Sequence, residues 1–195
     1  ALQAFQPNNL TEADRLWTLA TTGGRNSAQL AKLSVDIALA RKEYQKALDL
    51  FTKALEEIPG MSRYREATVG KLEAMIKLGK LDEAEKLGRE VLGDRGFKGE
   101  FPGQAYLLLG DLFKAKAATK TGSEKEEDLR KANGYYINAF ARFKAFPDIA
   151  ADGLLRSYKV LVDLGESAGA EETLKGLKDN PKFKGTKAQA EAEKF

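Results

Sequence analysis

The chain has no cysteine and no histidine. Without cysteine there is no disulfide, no thiol nucleophile and no cysteine-ligated zinc. Without histidine there is no Ser-His-Asp triad, no imidazole general base and none of the commoner zinc or iron sites. Proline is scarce, with five in 195 residues, and there is a single Trp. No apolar run approaches the roughly 20 residues that a membrane-spanning helix needs. The formal net charge of +3 is too small to argue for nucleic acid or an anionic membrane as the partner.

What the chain has is helix-forming composition. Ala, Leu, Lys and Glu are abundant. Apolar residues recur at i, i+3, i+4 and i+7 almost throughout, and no stretch alternates with the period of a strand. The pattern predicts helices over about 11–21, 27–40, 44–57, 62–78, 81–92, 102–117, 124–143, 148–163, 167–178 and 186–194. Thr11 stands three residues before Asp14 and Ser123 three before Glu126, a capping-box spacing. Asp148, after Pro147, reads as an N-cap, and Gly79, Gly93 and Gly165 read as stops.

Small residues stand where a buried stripe would ordinarily carry leucine. Ala47, Phe51 and Ala54 have spacings of four and three. So do Ala13, Trp17 and Ala20; Ala84, Gly88 and Val91; Ala132, Tyr136 and Ala139; and Ala170, Leu174 and Leu177. An alanine at the first position lets a neighbouring helix come close, and the next inward residue, one turn on, fills the space beside the contact. Five helices share this device. A plain helical bundle with alanine seams would use it too, but the regular recurrence favours a repeat array.

Each of these helices follows another with its own pattern. "YLLLGDLF" places Tyr106, Leu109, Gly110 and Phe113 as in the first helix of a tetratricopeptide repeat, and "EYQKALDLFTKALEEIP" resembles the second helix, with its closing Pro59. From Ala13 to Ala47 is 34 residues, the period of that family. The later spacings are 37, 48 and 38, and the 48 implies an insertion around "AKAATKTGSEKEED", of which residues 115–123 read as a mobile polar loop. The sequence departs from the family pattern at Ala31, where Trp is usual, and at Gly88, where Phe is usual.

The resemblance implies an all-α, right-handed superhelical solenoid of helix-turn-helix repeats in one domain over 1–195. It comprises a partial repeat at 1–24, repeats near 27–60, 62–96, 102–147 and 148–182, and a C-terminal helix at 186–195 that covers the last repeat. The register predicts that the chain begins inside a repeat and is a piece of something longer. It also implies a non-catalytic scaffold whose concave wall, lined by first helices, captures a partner segment. Counting in register, Lys32, Leu33, Asp36, Val69, Glu73, Leu107, Leu108, Asp111, Leu155, Arg156 and Lys159 fall on that wall. Asp36, Glu73 and Asp111 share one register position and are expected to form an acidic ladder. Leu33, Val69, Leu107, Leu108 and Leu155 are expected to form an apolar strip beside it. The partner expected is a protein or peptide, basic and apolar, with no cofactor or metal.

Some members of the family hold a C-terminal carboxylate with a Lys and Asn clamp. The corresponding positions are Lys32, Asp36, Gly70, Gln104 and Leu108, of which only the lysine fits. No catalytic signature is present: Gly70-Lys71 has Arg65 where a phosphate-binding loop needs glycine. The competing reading is nucleic-acid binding through the lysines of "KDNPKFKGTK" and through Lys114, Lys116 and Lys120. Asp179 and the acids of 124–128 interrupt the basic stripe that a backbone contact would need.

The register makes a prediction about stability. Leucine at Ala47 or Ala132 overpacks a helix crossing and destabilises by about 1–3 kcal/mol. Thermal melts of the two variants check this, and unchanged melting temperatures would contradict the register.

Overall fold

The computed structural model describes residues 34–35, 37–57 and 65–195. Every regular element among them is helical: α1 (Tyr44–Glu57), α2 (Arg65–Lys77), α3 (Leu81–Gly93), α4 (Phe101–Ala117), α5 (Gly122–Arg142), α6 (Pro147–Asp163), α7 (Ser167–Lys178), a 3-10 turn (Pro181–Phe183) and α8 (Lys187–Ala192). The expected helices near 11–21 and over the first part of 27–40 lie outside the described residues. The chain divides between Lys80 and Leu81 into two compact units. In the first, α1 packs on α2. In the second, α3 packs on α4, α4 on α5, α5 on α6 and α6 on α7, while α8 closes on α6 and α7.

One turn recurs three times. Arg41 N–H donates to Ile37 O, Lys42 to Leu39 and Glu43 to Ala38. Leu78, Gly79 and Lys80 donate in the same way to Ala74, Ile76 and Met75, and Leu164, Gly165 and Glu166 to Val160, Val162 and Leu161. The middle residue is left-handed each time, with φ of 61° at Lys42 and 75° at both Gly79 and Gly165. Glycine takes that conformation without a Cβ clash. Lys42 takes it at a cost, and its lack of a glycine is why the sequence showed no stop there.

The remaining helix boundaries bring corrections. Residues 115–123 are not one long loop: α4 continues to Ala117 and α5 begins at Gly122. The insertion is absorbed as helix, in elements of 17 and 21 residues. Ala117 and Leu129 are buried, and Lys120 Nζ reaches the buried Asp128 carboxylate at 2.6 Å, so the segment is tied down. Ser123 lies inside α5, whose N-cap is Thr121, and Asp148 lies in the first turn of α6 behind Pro147. Proline suits that first position because its missing N–H would have no helical partner.

The small-residue positions are core. Ala47, Ala84, Ala132, Ala139 and Leu177 are fully buried, and Ala170 nearly so. Gly88 departs from the family pattern, and Leu109 of α4 fills the vacated space; a Cβ on Gly88 would lie 2.7 Å from Leu109 Cδ2. At Gly110 a Cβ would meet the Tyr136 ring at 2.2 Å. At Gly153 it would lie 2.7 Å from the Tyr136 carbonyl oxygen and 3.1 Å from Phe140 N. A ring can turn aside, whereas a helix backbone cannot.

The C-terminal segment is ordered by capping. Asn180 accepts from Lys182 N–H and Thr186 Oγ1 from Gln189 N–H. The Gln189 amide donates to the carbonyls of Leu177, Lys178 and Asn180, satisfying groups that the end of α7 leaves open. Phe183 is buried with Leu154, Leu155, Leu177, Ala188 and Ala192. It meets Phe140 edge-on at 6.5 Å between ring centroids.

Two glycine substitutions separate packing from helix propensity. Gly153→Ala is expected to destabilise by about 1–3 kcal/mol through the backbone clash, although alanine is the better helix former. Gly134→Ala, where the added methyl meets nothing within 4 Å, is expected to stabilise by about 0.5–1 kcal/mol. Denaturant unfolding of both variants checks the pair of signs.

Candidate functional site

The polar centre of the second unit is built from the crossing of α4, α5 and α6. With its ring seated on Gly110, Tyr136 is fully buried and its hydroxyl donates to Asp111 Oδ1 at 2.8 Å. The other oxygen of Asp111 accepts from Arg156 Nη1. Arg156 also forks onto Asp152, with Nε to Oδ1 at 3.0 Å and Nη2 to Oδ2 at 2.6 Å. One cation thus sits between two carboxylates from different helices. Burial works against the Arg156 charge, but Asp152 and Asp111 outweigh it and hold the pKa above the ordinary value. Burial, reinforced by Asp111, raises the Tyr136 phenol well above its ordinary 10.0.

Beside this cluster lies a cavity of about 500 Å³ lined by Asp148, Asp152 and Leu155 of α6 and by Lys187, Ala188 and Glu191 of α8. Three carboxylates face one lysine across an apolar floor. Glu191 accepts from Lys159 Nζ at 2.7 Å, and that bond, with the nearby Lys159 charge, holds its carboxyl below the ordinary value, so it is ionised at neutral pH.

The residues expected on a binding wall divide into three groups. Lys32, Leu33 and Asp36 lie outside the described residues. Val69, Leu107 and Leu155 are not a surface strip: they are 6%, 5% and 3% exposed and belong to the core. For Leu107 and Leu155 the physical reason is that α4 and α6 each touch more than one helix, leaving little apolar surface to display. Glu73 and Leu108 are half-buried, on α2 and α4. Asp111 is not a free rung of an acidic ladder, because Arg156 neutralises it; Arg156 and Lys159 are themselves committed to carboxylates. Sequence reasoning missed Asp148, Lys187 and Glu191. The four-residue step from Asp148 to Asp152 was a legible signal of one helix face, but the docking of α8 against α6 had none.

Of the lysines in the competing reading, Lys114, Lys116 and Lys120 are engaged as well. Lys114 pairs with Asp163 at 3.0 Å, Lys116 with Asp82 and Glu85 at 2.9 and 2.8 Å, and Lys120 with Asp128. Phe183, which a nucleic-acid reading would offer for base stacking, is 3% exposed. No helix among the described residues is long and apolar enough to cross a membrane. No group of three or more metal-ligating side chains occurs among them.

Packed helices with small residues buried at their crossings, and every regular element among the described residues helical, are the features of a helical-repeat fold. Residues 38–94 match the family model of the tetratricopeptide repeat. The repeat commonly mediates protein–protein interaction and is typically a non-catalytic scaffold. No curated protein and no solved structure matches the chain.

The buried phenol gives a pH prediction. Unfolded, Tyr136 releases its proton near pH 10; folded, it keeps it to higher pH. Between those values the folded state binds more protons, so stability falls as pH rises above about 10. Tyr136→Phe is expected to lessen that fall, measured as the unfolding midpoint in denaturant on each side of pH 10.

Proposed function

We propose that the chain is a non-catalytic interaction scaffold, and that the acid-lined cavity between α6 and α8 captures a basic, partly apolar segment of a partner protein. The single observation that carries this reading is the cavity lining itself, three carboxylates against one lysine over Leu155 and Ala188. A lysine or arginine of the partner meets Asp148 and exchanges with Lys159 at Glu191, an exposed pair that costs little to open. Arg156 serves this surface without binding through it: its fork fixes Asp152 in place, so one carboxylate is oriented before any partner arrives. The tetratricopeptide-repeat match supports a protein partner. The charge of the cavity supports its sign.

A fluorescein-labelled peptide of lysine and leucine, titrated by fluorescence anisotropy, tests the proposal. The wild-type chain is expected to bind it in roughly the micromolar range of small transient interfaces. The variant carrying Asp148→Asn and Glu191→Gln is expected to bind about tenfold more weakly, with a flatter dependence on salt. Affinity unchanged from low to physiological salt would overturn the proposal.

A further inference from the structure

A second cavity, of about 510 Å³, lies over α4 between α3 and α5, and its chemistry is the reverse of the first. Its floor is aromatic. Phe113 and Tyr135 stack with ring centroids 5.5 Å apart and an interplanar angle of 12°. Lys116 and Lys131 each hold their Nζ 5.8 Å from the centre of the Phe113 ring. Four cations line the cavity, Arg89, Lys116, Lys120 and Lys131, against two carboxylates, Glu85 and Asp128.

The two lining carboxylates are occupied. Glu85 accepts from Lys116 and from Arg89, and Asp128 accepts from Lys120. Arg89 directs only Nε and Nη2 at Glu85, which leaves other N–H groups of its guanidinium to donate. Its side chain is 60% exposed and that of Lys131 is 45% exposed. Lys131 holds the exposed Glu127 at 2.7 Å, a pair of the kind worth about 0–1 kcal/mol, so an incoming carboxylate exchanges with it at little cost.

We propose that this cavity binds an acidic segment of a partner protein, its carboxylates on Arg89 and Lys131 and an apolar side chain over the Phe113–Tyr135 floor. Two exposed acids at the rim, Asp82 and Glu127, decide against nucleic acid. A polyanionic backbone needs a continuous basic track, and these two acids break it. A peptide with spaced acids and an apolar residue can place its charges between them. None of the cavity's lining residues belongs to the α6–α8 cavity, so the two proposals stand or fall separately.

The test is anisotropy of a fluorescein-labelled oligoglutamate peptide bearing one phenylalanine, titrated with the full chain. The wild type is expected to bind, less tightly as salt rises. The variant carrying Arg89→Glu and Lys131→Glu is expected to lose at least about tenfold. Asp148→Asn with Glu191→Gln is expected to leave this binding unchanged. Should the charge-reversed variant melt early, Arg89→Gln with Lys131→Gln replaces it, and a loss in the same direction supports the proposal. No binding by the wild type would overturn it, as would equal binding by the folded variants. Tighter binding of a single-stranded oligonucleotide than of the peptide would overturn it in favour of nucleic acid.

Discussion

The second unit depends on the seating of Tyr136 between two glycines. Gly110 of α4 lies under its ring, and Gly153 of α6 lies against its carbonyl oxygen. Because neither glycine carries a Cβ, three helices cross close enough for one phenol to act across the crossing. The hydroxyl then falls beside Asp111, the residue after Gly110, and Asp111 in turn meets Arg156, three residues after Gly153. Apolar packing thus dictates the polar geometry. Shifting α4 or α5 along its axis would part the fully buried Tyr136 hydroxyl from Asp111, and leaving a buried hydroxyl unpaired is costly.

That fixed crossing also sets where charge is displayed. Arg156 occupies the space between Asp111 and Asp152, so the acids nearest the centre are neutralised. Along α6, Asp152 pairs with Arg156 and Asp163 with Lys114, while Asp148 lines the cavity with no ion pair of its own among the described residues. On the α3–α5 side, cations outnumber the acids in the cavity lining. A chain with a formal net charge of only +3 therefore presents local surfaces of opposite sign within one unit. Net charge averages over such features, which is why composition alone pointed to no class of ligand.

Much of the fold was legible because repeat proteins write it locally. The small-to-large spacing located Ala47, Ala84, Ala132 and Ala170, all buried, and the helix limits predicted for 44–57 and 167–178 coincide with α1 and α7. Turns that use glycine, at Gly79 and Gly165, were readable; the same turn at Lys42 was not, since its left-handed lysine carries no composition signal. The binding surface was less legible. Register tells which residues share a face, but not whether that face is covered, and so Leu107 and Leu155 were read as surface when neighbouring helices bury them. Asp111 was read as a free acid because its partner, Arg156, lies 45 residues further along. Pairing at that distance depends on the helix crossing, which no local pattern encodes.

The claim that Tyr136 couples the packing of α4 to its charge is tested most directly by a double-mutant cycle. Unfolding free energies are measured for the wild type, Tyr136→Phe, Asp111→Asn and the double variant. If the hydroxyl and the carboxylate act as one unit, the double variant loses less than the sum of the single losses, with a coupling of about 1 kcal/mol. Additivity within about 0.3 kcal/mol, the behaviour of distant and independent sites, would contradict the account.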